Sequence, residues 1–258
     1  MVYKLEKLRY GVTIPFVIGK SEDRKGKYMK YKNIIQGNFL TRPNRFIAYV
    51  RVGENVEVCH VKNTGRCREL LLPESVVYLE ESDNPARKTR YDLVAVKKGE
   101  RLINMDSNAP NQVVKEWLNS ESCQLFSKGE QREIKPEYKY GNSRIDFYGE
   151  TKDRKLLIEV KGVTLEEDNV VRFPDAPSQR AVKHVTELEK AVEEGYECYV
   201  LFVVQMRGVN YFTPNVDTHP EFCQALIQAA GHGVKVLAYD CEVTEKSMKI
   251  NVPVPVRF

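Results

Sequence analysis

Asp146, Glu159 and Lys161 stand in two runs, "SRIDFYG" and "KLLIEVKG", that otherwise read as buried strands. Side chains alternate along a strand, so Ile145 and Phe147 point one way while Arg144, Asp146 and Tyr148 point the other. In the second run Ile158 and Val160 share a face, with Glu159 and Lys161 opposite. An antiparallel hairpin turning at "TKDR" sets Asp146 across from Glu159 and Arg144 across from Lys161. Carboxylates this close raise each other's pKa unless a cation lies between them. A hard divalent ion, Mg²⁺ or Mn²⁺, suits one Asp, one Glu and a main-chain carbonyl, and keeps several waters. Such an ion can bind a phosphate oxygen, activate water and stabilise the leaving oxygen of a phosphodiester, with Lys161 orienting the water or meeting the developing charge.

The triplet spacing alone carries little weight, because Glu133/Lys135, Glu137/Lys139 and Asp153/Lys155 repeat it. Pro174-Asp175 follows the triplet and leads into a helix. The weight comes from Asp146 ahead of the turn, the apolar neighbours on both strands, and a preceding helix that carries Glu116. The plain alternative is an exposed hairpin face with an ordinary Lys/Glu pair.

The elements that must position these groups fall into two halves. Residues 1–33 form a polar, lysine-rich arm. Residues 34–103 contain "NIIQGNFLTR", "RFIAYVRV", "NVEVCHVK", "SVVYLEES" and "YDLVAVKKG", short strands with turn glycines between them, which predicts a small OB-like barrel. Residues 104–258 change character. A helix over "NAPNQVVKEWLNS", capped by Asn108 or Asn111, precedes strands at "IKPEYKYG", "SRIDFYG" and "KLLIEVKG". A second helix, "SQRAVKHVTELEKAVEEG", runs from a Ser178 cap to Gly195. A strand "CYVLFVVQM", a helix "PEFCQALIQAAGHG" and a strand "VKVLAYDCEV" complete an α/β sandwich order.

The chain has 258 residues, 42% of them hydrophobic, enough for two packed cores. Its net charge of +4 permits a nucleic-acid partner without demanding one. Six scattered cysteines without a CxxC pair, and no apolar leader, predict a reducing cytoplasm and argue against structural zinc. No apolar run reaches the roughly 18 residues of a membrane span. The oligomeric state is left open, a homodimer among the options.

Basic residues mark where a nucleic acid would lie. Arg180, Lys183 and His184 share one helix face, readable as a phosphate contact or as a solvated face paired with Glu187. In the barrel, Arg42, Arg45, Lys62, Arg66 and Arg68 gather near Phe46 and Asn63, the mix that binds strands through cations on phosphates and aromatics under bases. Arg87, Lys88 and Arg90 in "DNPARKTR" add phosphate contacts without base choice. His60, His219 and His232 receive no role, and Trp117 belongs to the core.

Several stretches together resemble the sugar fermentation stimulation protein A family, bacterial and archaeal proteins described as DNA-binding. They include "GNFLTRPNRFIAYV", "HVKNTGRCRELLLP", "NAPNQVVKEWL", "YGNSRIDF", "IEVKGVTL", "FPDAPSQRAVKH" and "GVKVLAYDCEV". The resemblance implies an N-terminal OB-like barrel joined to a C-terminal domain similar to PD-(D/E)xK nucleases. Asp146, Glu159 and Lys161 then match the nuclease motif, and Glu116 the acidic position on the helix before the first strand. "SRID" departs from the literal Pro-Asp, and Pro177 and Ala181 stand where Val and Gly are more usual. The function expected is a cytoplasmic DNA- or RNA-binding protein with Mg²⁺-dependent phosphodiester hydrolysis. The rivals are a non-catalytic, sequence-nonspecific DNA-binding regulator of sugar (maltose) metabolism and a scaffold that touches no nucleic acid.

Overall fold

The computed structural model describes residues 28–63 and 65–258. Most of the expected N-terminal arm therefore lies outside the described residues. Its last residues pack against the fold: Met29 and Tyr31 are buried, and Tyr31 N donates to Lys246 O at 2.8 Å. Two large side chains at i, i+2 spacing find a covered face there.

The first half is a barrel built from β1 (Ile34–Asn44), β2 (Ile47–Val52), β3 (Asn55–Val61), β4 (Val76–Glu81) and β5 (Tyr91–Lys98). The antiparallel order β3-β2-β1-β4-β5 closes through a parallel pairing of β3 with β5, Cys59 beside Tyr91. Closure removes the edges a short all-β chain would otherwise expose. Ala48, Val50, Cys59, Val77, Leu79, Leu93 and Val96 fill the interior. β6 (Arg101–Asn104) hairpins back on β5 and leads out of the barrel.

The second half holds α1 (Ala109–Leu118), β7 (Glu133–Tyr140), β8 (Ser143–Glu150), β9 (Lys155–Val163), β10 (Leu165–Glu167), β11 (Val170–Phe173), α2 (Gln179–Glu193), β12 (Glu197–Val204), β13 (Tyr211–Pro214), α3 (Pro220–Gly231), β14 (Lys235–Thr244) and β15 (Ser247–Pro253). The main sheet runs β15-β14-β12-β9-β8-β7, and β10-β11-β13 form a small second sheet. β12 is parallel to both neighbours and covered on both faces, which is why "CYVLFVV" is an unbroken apolar run. Leu156, Ile158 and Val160 of β9, with Tyr199, Leu201 and Val203 of β12, pack in one cluster with α1. Leu157, Val200, Phe202 and Val204 pack in the other with α2 and α3. Glu159 and Lys161 are in phase with Leu157, so the alternation sends them toward α2.

The halves meet at a buried polar junction. Asn104 N donates to Gln205 O at 2.9 Å, and Gln205 Nε2 returns bonds to Asn104 O, Asn104 Oδ1 and Asp106 O at 3.0–3.1 Å. Glu166 receives Lys98 Nζ at 2.7 Å and Arg101 Nη1 at 2.9 Å. Such a network is strong only when every member is satisfied. Gly162 allows the closest approach there: a Cβ on it would lie 2.5 Å from Gln205 Oε1 and 2.8 Å from Pro110 Cγ. The Gly162→Ala variant should therefore lose about 1–3 kcal/mol of stability, read from urea unfolding, as an overpacked core position does.

Candidate functional site

The site forms where β8 parts from β9. Glu150↔Lys155 through Phe147↔Ile158 pair in the register expected from the sequence, and Thr151 N donates to Arg154 O at 2.9 Å across the turn. The ladder ends one pair short of Asp146 and Glu159. Beyond it β9 continues beside β12, with Glu159 opposite Val200 and Lys161 opposite Phe202. The Asp146 carboxylate fills the split: its Oδ2 accepts Val160 N–H at 2.8 Å, and its Oδ1 accepts Asn111 Nδ2 at 2.8 Å from α1.

Glu159 is 2% exposed. Its Oε1 accepts Lys161 Nζ at 2.5 Å and also faces His184 Nδ1. Arg180 Nε points at His184 Nε2 at 3.4 Å, so Nε2 accepts and Nδ1 carries the proton given to Glu159. With both donors on Oε1, the buried Oε2 has no hydrogen-bond partner among the described residues.

The two carboxyls are driven apart in acidity. Burial, followed by the charge of Glu159, pushes Asp146 up to about 6, against the pull of Val160 N–H, Lys161 and Asn111. Burial pushes Glu159 upward too, but the hydrogen bonds from His184 and Lys161 and the charge of Lys161 outweigh it, and its pKa falls below the usual carboxylate range. Opposed shifts in adjacent acids are a mark of functional sites.

The donors available to a metal are hard oxygens: Glu159 Oε2 is free, and each Asp146 oxygen keeps lone-pair capacity beyond its one bond. This set fits a small hard cation that completes its shell with water. Among the described residues no set of three Asp, Glu, His or Cys side chains is arranged to hold a metal ion. Glu116, expected as a further carboxylate here, accepts Met29 N–H at 2.9 Å instead, and burial raises its pKa. It lies five residues beyond Asn111, about 140° around the helix from the face that meets Asp146. Asn111, read as a helix cap, is the residue of α1 that reaches the site; Asn108 occupies the N-cap position.

The expected nucleic-acid contacts divide. Arg45, Arg66, Arg68, Lys88, Arg180 and Lys183 are exposed. Four others are engaged internally, which corrects the sequence reading. Arg42 donates to the carbonyls of Arg45, Asn63, Gly65 and Arg66. Lys62 lies 3.3–3.5 Å from Glu80, Asp92 and Asp106. Arg87 bonds both oxygens of Asp92 at 2.6 and 2.9 Å. His184 is buried against Glu159 rather than exposed beside Lys183. Asp175, set aside by the sequence reading, accepts Arg66 N–H at 3.0 Å and so ties the barrel to the lead-in of α2.

The shifts fix the sign of a pH effect. A carboxyl whose folded pKa is raised favours the proton-bound native state, so its contribution declines as pH rises from the ordinary value, about 4, through about 6. Glu159 acts oppositely, supporting the fold above the ordinary value and losing that support only in stronger acid. In metal-free buffer the wild type should lose about 2 kcal/mol between pH 4 and 7 relative to Asp146→Asn, measured by urea unfolding across pH.

Comparison with known proteins agrees with this architecture along most of the chain. The family model described as "SfsA N-terminal OB domain" matches residues 40–105, and that described as "Sugar fermentation stimulation protein RE domain" matches residues 108–247. The chain is 57% identical over 221 residues to a sugar fermentation stimulation protein homolog of Desulfitobacterium hafniense, covering 86% of this chain and 95% of that one. A homolog of Ruminiclostridium cellulolyticum is 55% identical over 230 residues, 89% of this chain and all of the other. The solved structure of Pyrococcus furiosus SfsA in complex with Ca²⁺ superposes with a TM-score of 0.77 at 26% identity, over 90% of this chain and 99% of that chain. With both domain models matched in order and relatives this similar over nearly their whole length, the chain belongs to the sugar fermentation stimulation protein family.

Proposed function

We propose that the protein binds nucleic acid and hydrolyses its phosphodiester bonds with Mg²⁺ or Mn²⁺ as cofactor, at the Asp146/Glu159/Lys161 site. The observation that carries the reading is the unpartnered, buried Oε2 of Glu159 beside the raised carboxyl of Asp146. A buried carboxylate oxygen with no donor is costly, and a hard cation is the partner that relieves both acids at once. That the Pyrococcus furiosus relative was solved with Ca²⁺, an ion of the same oxygen-seeking class, adds support.

Each residue has a task that follows from its contacts. Asp146 and Glu159 would hold the cation, which when bound supplies charge to a phosphate oxygen and acidity to a water. Asn111 and the Val160 amide fix the Asp146 carboxylate, so its aim does not depend on a flexible rotamer. His184 and Lys161 engage Oε1 and thereby leave Oε2 open. Lys161, with its side chain only 13% exposed, is the group suited to orient water or hold the charged phosphate. Five cationic side chains that remain exposed, Arg45, Arg66, Arg68, Lys88 and Arg180, have no carboxylate within ion-pair distance among the described residues, whereas Lys183 lies 3.9 Å from Glu187.

A second reading, a DNA-binding regulator without catalysis, draws on the Lys161–Glu159 contact, which already neutralises one acid without any ion. Cleavage separates the two. Purified protein should nick or degrade DNA or RNA when Mg²⁺ or Mn²⁺ is added and stop in EDTA. Glu159→Ala should abolish the activity, and Lys161→Met should reduce it by roughly a hundredfold or more. Cleavage by Glu159→Ala at the wild-type rate would end the nuclease reading, and binding without cleavage under every divalent ion would leave the regulator.

A further inference from the structure

The barrel carries an exposed apolar stripe that its own packing does not explain. On β2 and β3 the pairs Tyr49↔Val58 and Arg51↔Val56 face outward, while Ala48, Val50 and Cys59 between them are fully buried. Tyr49 is 36%, Val58 42% and Val56 59% exposed, and Phe46, in the turn that joins β1 to β2, is 51% exposed. The Arg45 guanidinium lies 5.8 Å from the centre of the Phe46 ring. Duplex DNA offers such a surface nothing to stack on, because its bases are paired and covered. Unpaired bases stack on aromatic side chains whatever their sequence, while cations follow the phosphates.

The stripe is also joined to the acid site by a run of contacts. Arg42 ties the Phe46 turn, through Arg45 O, to the loop after β3, through the carbonyls of Asn63, Gly65 and Arg66. That loop bonds Asp175 through Arg66 N–H, and Ser107, just before α1, donates to Lys62 O. Asp175 leads into the helix that carries Arg180 and His184, and α1 carries Asn111. Exposed arginines at 45, 66 and 180 therefore sit on segments that these contacts link, from the Phe46 turn to the helix that carries His184.

From this continuity we infer that the substrate is single-stranded nucleic acid, its bases stacked on Tyr49 and Phe46 and its backbone passing Arg66 and Arg180 to the Asp146/Glu159 site. The inference rests on the nucleic-acid-binding reading above and adds to it the strand state and the route.

The test is fluorescence anisotropy on the full chain in EDTA, where cleavage plays no part, with an oligothymidine strand of about 20 nucleotides and a mixed-sequence duplex of equal length. The single strand should bind more tightly. Tyr49→Ala and Phe46→Ala should each weaken it roughly five- to hundredfold and leave duplex affinity unchanged. Arg66→Ala and Arg180→Ala should each lower the slope of log affinity against log salt by about 0.7, one phosphate contact on a single strand. All four side chains are exposed, so unchanged thermal melting is the control for folding. Duplex binding equal to or tighter than single-strand binding, or full single-strand affinity in Tyr49→Ala, overturns the inference alone. Binding of neither probe overturns the nucleic-acid reading itself, and intact selectivity with no cleavage in Mg²⁺ leaves the inference standing while the nuclease reading fails.

Discussion

Two interacting carboxyl groups, Glu159 buried and Asp146 half-buried, set the terms for the second half of the molecule. An unpaired buried charge is too costly to keep, so each acid needs its own means of stabilisation. Glu159 has an ammonium and an imidazole on one oxygen, while Asp146 has a main-chain amide and a carboxamide. These demands explain why β8 and β9 part where they do: the Val160 amide can serve Asp146 only if the ladder opens there. They also explain why the N-terminal halves of α1 and α2 converge on the same spot, one bringing Asn111 and the other His184.

The barrel is more than an attachment to this arrangement. Gln205 at the end of β12 and Asn104 at the end of β6 share a closed set of hydrogen bonds, and Pro110 of α1 rests against Gly162, next to Lys161. Arg42, Lys62 and Arg87 do internal work that the composition disguises. Burial alone would make Asp92 less acidic, but Arg87 and Lys62 reverse this and hold it down at about 2. A cation at or beside a turn looks the same on paper whether it faces solvent or a cluster of carbonyls. Only the fold separates Arg42 from Arg45.

What could be read ahead of the structure follows from how local each signal is. The β8–β9 register was legible because strand period and a symmetric turn determine it, and the closed barrel because strand number and turn spacing limit the choices. The β10–β11 hairpin was missed although Asp168-Asn169, both with positive φ, form the kind of pair that a tight turn between short strands favours. His184 carried its own clue: it shares the i, i+3, i+4, i+7 stripe of Ala181, Val185, Leu188 and Ala191, which is the buried face of α2. Asn111 offered none, because an Asn near a helix start is the usual sign of a cap. Glu116 was misplaced because its orientation depends on which face of α1 meets the sheet, a tertiary fact.

The bridge between Arg66 and Asp175 draws on the peptide group of residue 66, not on its guanidinium. Side-chain identity at that position is thus decoupled from the hydrogen bond itself, and evolution can recolour the spot from cationic to neutral without removing the bridge, proline excepted. Its neighbour has the opposite character: any β-carbon on Gly65 would sit 2.2 Å from the same Asp175 oxygen. Adjacent codons therefore obey different rules, one free to tune how the surface greets a polyanion and the other held small, because a larger residue there must displace the Asp175 carboxylate from the bridge.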